Sequence, residues 1–265
     1  MTATQDEATT PVFEVNGMRA TIRLNRPRHL NRLQPEDLVA LMTLFDRVEA
    51  DPSVRVLVIT GTGRAFSAGY DLGSIAKRAA DGQEQVAGTS FEVVTNRLEN
   101  LKLPTICRLN GGVYGGATDL ALACDFRIAV DTAEMFMPAA RLGLHYYRSG
   151  IERYVSRLGA DNAKMLFLTA RKIAAVEMLR IGYLTALAPA ERLDAEVNAL
   201  ADTLAANAPN AIAGMKRTIN EFARGTLDAA EAEARHRASM QGDEIKEGVA
   251  AFAEKRAPRF KGQRT

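Results

Sequence analysis

Residues 110–125 read N-G-G-V-Y-G-G-A-T-D-L-A-L-A-C-D. An apolar run, T-I-C-R-L at 105–109, leads into them and reads as a short buried strand. Glycines follow at 111, 112, 115 and 116, and then the small, apolar segment from Ala117 to Cys124 reads as a buried helix. Glycines ahead of a helix leave its first N–H groups uncovered by side chains, and those groups have no partner inside the helix. The aligned peptide dipoles add partial positive charge there. A ligand oxygen that gains negative charge could sit against such donors. The competing reading is a tight turn with close helix packing, where only glycine fits.

A second turn of the same kind lies upstream. The run V-R-V-L-V-I-T at 54–60 reads as a strand, and G-T-G-R-A-F-S-A-G-Y-D follows at 61–71. Two strand-to-helix turns, each offering one N–H, could form a two-donor oxyanion hole. Around them, Val12 to Val15, Asn16-Gly17 and Met18 to Leu24 read as a β-hairpin. Leu38, Leu41, Met42, Phe45 and Val48 fall at helical spacing, which ends before Asp51-Pro52. Strand and helix patterns alternate to about residue 140, which argues for an α/β core. From Ile151 onward helical patterns dominate, over 191–206, 210–223, 226–241 and 244–255. The expected organisation is a disordered lead at 1–10, an α/β core at 11–205 and a helical C-terminal region at 206–265.

Composition bounds the function. Of the 265 residues, 47% are hydrophobic and 25% charged, as in a soluble globular protein with a sizeable core. The net charge of +2 gives no reason to expect nucleic acid or an anionic membrane surface as partner. No apolar run approaches the roughly 18 residues of a membrane helix. The first ten residues carry no signal-peptide core. Cys107 and Cys124 lie in predicted buried elements without metal spacing and read as reduced thiols of a cytoplasmic protein.

Five stretches in order carry a family resemblance: N-R-P-R-H-L-N at 25–31, A-F-S-A-G-Y-D-L at 65–72, residues 110–125, P-A-A-R-L-G at 138–143, and E-G-V-A-A-F-A-E-K-R at 247–256. The chain resembles the crotonase (enoyl-CoA hydratase/isomerase) superfamily. The resemblance implies a spiral of ββα turns with terminal helices that mediate homotrimers or dimers of trimers. It implies an acyl-CoA substrate, with coenzyme A entering as part of the thioester and no prosthetic group. It places the two oxyanion donors at the backbone N–H of Tyr70 and Gly116. Arg28, His29 and Leu30 would line the CoA site, the backbone of Ala68, Asp71 and Leu72 would hold the adenine, and Lys255 would reach the nucleotide of its own or a neighbouring subunit.

The acid–base positions depart from the family. A hydratase of this kind has two glutamates beside the bound water. Here the first matches Asp119, three residues after Gly116 and on about the same side of the helix. The second matches Ala139, which moves no proton. A general base contributes roughly 10²–10⁴ in rate, so ordinary water addition should suffer. His145, Tyr146, Tyr147 and Arg148 form a polar cluster close by. This stretch resembles the methylmalonyl-CoA decarboxylase branch, where a tyrosine follows the same leucine-glycine pair, and Tyr146 takes that place. Loss of CO2 leaves an enolate directly, so no base is needed and one donor, Tyr146 or a water it orients, must protonate carbon. The alternatives are isomerisation through Asp119, hydration with His145 or Tyr146 in compensation, and a non-catalytic CoA-thioester binder. A dinucleotide fingerprint fails at Phe66, where the third glycine would stand. A nucleophile elbow fails at Ala65.

Overall fold

The computed structural model describes residues 10–71, 73 and 89–261. The lead before Thr10 and the expected adenine contact Leu72 lie outside them. A hairpin opens the chain: β1 (Val12–Asn16) and β2 (Arg19–Leu24) pair antiparallel about a turn in which Gly17 takes φ +59°. Helix α1 (Pro35–Ala50) follows, started by Pro35 at its first turn and by a reciprocal Gln34–Asp37 capping box. Its Leu38, Leu41, Phe45 and Val48 are buried, as their spacing predicts.

Three successive strand pairs then build the spiral. They are β3 (Val56–Gly61) with β4 (Ala65–Ser67), β5 (Thr105–Leu109) with β6 (Gly112–Tyr114), and β7 (Phe126–Val130) with β8 (Glu134–Phe136). The first member of each pair joins one sheet, and the second joins another. The larger sheet runs β1-β2-β3-β5-β7-β10, with β10 at Ala186–Ala188, and is parallel from β2 onward. The smaller runs β4-β6-β8-β9, with β9 at Ile173–Ala174 antiparallel to β8. Because each turn of chain advances one strand in both sheets, the loops from β4 and β6 emerge side by side. This is the expected α/β architecture with its ββα spiral.

Helices fill the remaining chain: α2 (Phe91–Glu99), α3 (Ala117–Ala123), α4 (Arg148–Leu158), α5 (Ala160–Thr169) and α6 (Ala175–Arg180). The C-terminal part holds α7 (Leu193–Ala206), α8 (Pro209–Ala223), α9 (Ala229–Gln241) and α10 (Asp243–Ala253). The last helix ends two residues before the expected Lys255, which takes φ +54° in the turn beyond it. Every residue of α3 is buried, so this short apolar helix sits inside the core.

Asn31 ties the first part of the chain to the β3–β4 turn. It is 1% exposed, sits at φ +54°, and its Nδ2 donates to the carbonyls of Thr62 (2.8 Å) and Ala65 (2.9 Å). Its Oδ1 accepts from the Arg26 N–H at 2.9 Å. Asn31→Ala strands buried backbone groups and should lower stability by about 3 kcal/mol in urea unfolding. A loss under about 0.5 kcal/mol would show that this brace is dispensable.

Candidate active site

Parallel pairing of β4 with β6 sets the two glycine turns against each other. Gly69 takes φ +90°, and a Cβ there would stand 2.6 Å from the Tyr114 carbonyl oxygen and 3.0 Å from the Gly116 nitrogen. Only glycine allows this backbone approach. Tyr70 and Gly116, the residues expected to present N–H groups, therefore lie on adjoining turns. A Cβ on Gly116 would meet the Phe91 ring at 3.1 Å. That ring lies between Tyr70 and Tyr147, with centroids at 5.9 and 6.5 Å. The three aromatics form a wall beside the expected oxyanion donors.

Helix α3 is fixed at both ends by buried polar contacts. Thr118 Oγ1 donates to the Gly115 carbonyl at 2.6 Å and accepts from the Tyr154 hydroxyl at 2.5 Å. Tyr183 donates to the Thr118 carbonyl at 2.8 Å. At the other end Arg127 Nη1 and Arg157 Nη1 both bond the Cys124 carbonyl at 2.6 Å, and Arg157 also reaches that of Leu122. These carbonyls have no partner within the helix, and cations there suit its dipole. Burial, and then the neighbouring Arg157, pull Arg127 down to about 10.

Asp119 is fully buried in this helix. Arg153 Nη1 bonds both of its carboxylate oxygens, at 2.8 and 2.7 Å, and the Tyr147 hydroxyl donates to Oδ2. Arg153 Nη2 donates to Asn96 Oδ1 at 2.7 Å, and its Nε lies 3.0 Å from Glu99 Oε2 without hydrogen-bond alignment. Glu99 also pairs with Arg157 and Arg224. Burial alone would lower the Arg153 pKa, but the charge and hydrogen bonds of Asp119 outweigh it and raise it.

Tyr146 and Tyr147 stack, with centroids 4.3 Å apart. Tyr146 is buried and tilted against Phe167; Tyr147 is half-buried. The Tyr146 hydroxyl donates to the Tyr147 oxygen at 3.2 Å, and Thr95 Oγ1 lies 3.2 Å from the same oxygen. Burial, and next the Asp119 charge, push both phenols well above their ordinary pKa. His145 is exposed in the preceding loop and takes no part in this hydrogen-bonded set. Ala139 is buried in a 3-10 turn, Ala139–Leu142.

The expected CoA-lining residues are partly brought together. Arg28 and His29 are exposed in a 3-10 turn, Pro27–His29, and Leu30 follows at φ +51°. This segment zips onto the β4 end: Ala68 N–H donates to Leu30 O (2.7 Å), Leu33 N–H to Gly69 O (2.8 Å) and Asp71 N–H to Leu33 O (2.9 Å). Asp71 also pairs with Arg32 at 3.0 Å. Lys255 is exposed beyond α10. Sequence reasoning did not single out Arg153, Thr95, Phe91 or Glu99. One signal was available: Gly150, Arg153, Tyr154 and Leu158 are the buried residues of α4, so an arginine stands where a core face needs apolar residues.

Residues 14–263 match the family model for enoyl-CoA hydratase/isomerase. The chain belongs to that family. It is 34% identical to carnitinyl-CoA dehydratase of Proteus mirabilis, over 91% of this chain and 94% of the relative. It is 31% identical to short-chain-enoyl-CoA hydratase of Clostridium acetobutylicum, over 92% and 95%. The crystal structure of enoyl-CoA hydratase from Bacillus anthracis superposes with a TM-score of 0.85 at 27% identity, over 96% of this chain and all of that one.

Asp119→Asn leaves Arg153 underneutralised in the core and should cost about 3 kcal/mol in urea unfolding. Asp119→Asn combined with Arg153→Met removes both charges and should recover at least half of that loss. A double variant no more stable than the single would show that the two side chains do not act as a pair.

Proposed function

We propose that the protein binds acyl-CoA thioesters, stabilises the enolate oxygen between the N–H groups of Tyr70 and Gly116, and runs a decarboxylase-like or single-carboxylate reaction, of which decarboxylation is the better supported. The observation that carries this reading is the asymmetry around the turns. Buried Ala139 offers no acid or base, while Asp119 stands behind Tyr147 and Tyr146. A thioester that loses CO2 delivers its electron pair straight to the enolate, so the site must only hold that charge and return a proton. One oxyanion donor is typically worth about 3 kcal/mol of barrier. Phe91 packs against Gly116, and the Tyr70–Phe91–Tyr147 wall would support the acyl group.

The CoA moiety would run along Arg28, His29 and Leu30 towards the backbone of Ala68 and Asp71. The zipped contact between these segments supports one continuous cradle. Lys255 would add a cation from its own or a neighbouring subunit. A homotrimer or dimer of trimers fits the exposed apolar side chains of α8 and α10, with Phe222 74% and Phe252 88% exposed. Among the described residues no helix is long and apolar enough to cross a membrane. A cytoplasmic location completes the reading. Hydration is the second reading, favoured by the names of the relatives, and would require His145 or a tyrosine to stand in for the absent base.

Parallel turnover of methylmalonyl-CoA and crotonyl-CoA, followed by mass spectrometry, separates the two. Release of CO2 without hydration is expected. Hydration at an ordinary enzymatic rate of roughly 10 s⁻¹ or more, without CO2 release, would reject the decarboxylase-like reading. Gly116→Ala pushes a methyl group towards Phe91 and the thioester. It should cut kcat/KM at least about tenfold, a barrier rise near 1.4 kcal/mol, with unchanged oligomer size; an unaltered value would remove Gly116 from the site.

A further inference from the structure

The carbonyl carbon of a thioester carries sulfur on one side and the acyl chain on the other. With the oxygen between Tyr70 and Gly116, the sulfur belongs to the coenzyme A cradle and the chain must find its own path. We infer that Phe91, the first residue of α2, is the specificity-determining residue of this site: its ring ends that path, so the protein takes short acyl groups such as propionyl and excludes long ones such as octanoyl. This rests on the thioester placement proposed above and deepens it by naming the substrate class.

One ring borders both donor residues. A Cβ built on Gly116 would lie 3.1 Å from Phe91 Cε1 and from Cζ, so the tip of the ring stands against that glycine. The same ring is tilted against Tyr70, with centroids 5.9 Å apart. A chain attached to a carbonyl held between these two residues therefore meets Phe91 within its first few carbons. The main chain beneath the ring is fixed. Ser90 caps α2 by accepting the Val93 N–H at 3.2 Å, and its carbonyl accepts the Val94 N–H at 3.1 Å.

Behind the ring the packing is rigid. Tyr147 stands 6.5 Å away, centroid to centroid, and its hydroxyl gives its proton to buried Asp119, so what this residue offers Phe91 is its ring. Tyr147 stacks on Tyr146 at 4.3 Å, and Tyr146 leans on Phe167 at 5.3 Å. Thr95 Oγ1 lies 3.2 Å from both the Phe91 carbonyl oxygen and the Tyr147 hydroxyl oxygen, which ties the first turn of α2 to the ring behind it. A side chain packed in this way yields only by disturbing its neighbours. In a yielding apolar pocket each added methylene would raise affinity. Against a fixed ring it collides, so the selection is repulsive and removing the ring relieves it.

Calorimetric titration with propionyl-CoA and octanoyl-CoA, neither of which can lose CO2 or add water, tests the assignment. The wild type should bind octanoyl-CoA at least about tenfold more weakly than propionyl-CoA. Phe91→Ala should reverse that order, and Phe91→Leu should narrow the gap. Val93→Ala, on the outward face of the same helix with Val93 41% exposed, should keep the wild-type ratio. Equal or tighter binding of octanoyl-CoA by the wild type would overturn the inference. So would an unchanged ratio in a folded Phe91→Ala variant, or a ratio that Val93→Ala shifts as far. Should Phe91→Ala not fold, Phe91→Leu decides, and an unchanged ratio there overturns it. A wild type that binds neither thioester would instead reject the parent reading, and this inference with it. Length-selective binding without turnover of any thioester would uphold the size limit and reject only the reaction.

Discussion

Asp119 carries a carboxylate in a place that water does not reach, and Arg153 supplies the opposite charge that makes this tolerable. An isolated ion there would cost several kcal/mol after relaxation, and an ion pair survives burial only with good geometry and further hydrogen bonds. The pair has both. One guanidinium nitrogen bridges both carboxylate oxygens, and Tyr147 adds a hydroxyl. The same guanidinium holds Asn96 and faces Glu99, both on α2, so α2, α3 and α4 meet at one charged centre. Through Arg224 that centre also touches the end of α8. Placement of Tyr147 beside the glycine turns, and of Phe91 over Gly116, follows from how these three helices lock together.

The backbone constraint is of a different kind. Two short strands, β4 and β6, bring their following turns so close that a single methyl group at Gly69 would strike the Tyr114 carbonyl. The spiral makes this approach possible, because successive pairs of strands advance together in both sheets. The rings of Tyr70, Phe91 and Tyr147 lie against these turns, and the buried ion pair of Asp119 and Arg153 stands behind Tyr147.

Much of this was legible in the sequence for identifiable reasons. Asn16-Gly17 between alternating residues marks a hairpin, and the apolar spacing of 38, 41, 45 and 48 marks α1; both form as expected. The glycine runs after apolar strands mark the two turns. The spiral itself leaves little trace, since β4, β6 and β8 are three residues each and too short for a period to show. The different surroundings of Tyr146 and Tyr147 were equally hidden. Adjacent residues before a helix point in different directions, and the direction is set by Asp119, Thr95 and Phe167, which are remote in sequence. The ion cluster joins residues 99, 119, 153 and 224, a separation that no local pattern reports.

The central claim is that the site receives an enolate and protonates it, and holds no base able to make one by removing a carbon-bound proton. Solvent exchange of the α-protons of propionyl-CoA, followed by NMR in D2O with catalytic amounts of protein, addresses this directly. The account predicts exchange at least about a hundredfold slower than release of CO2 from methylmalonyl-CoA under the same conditions. Exchange at a comparable rate would show a working carbon base and contradict it.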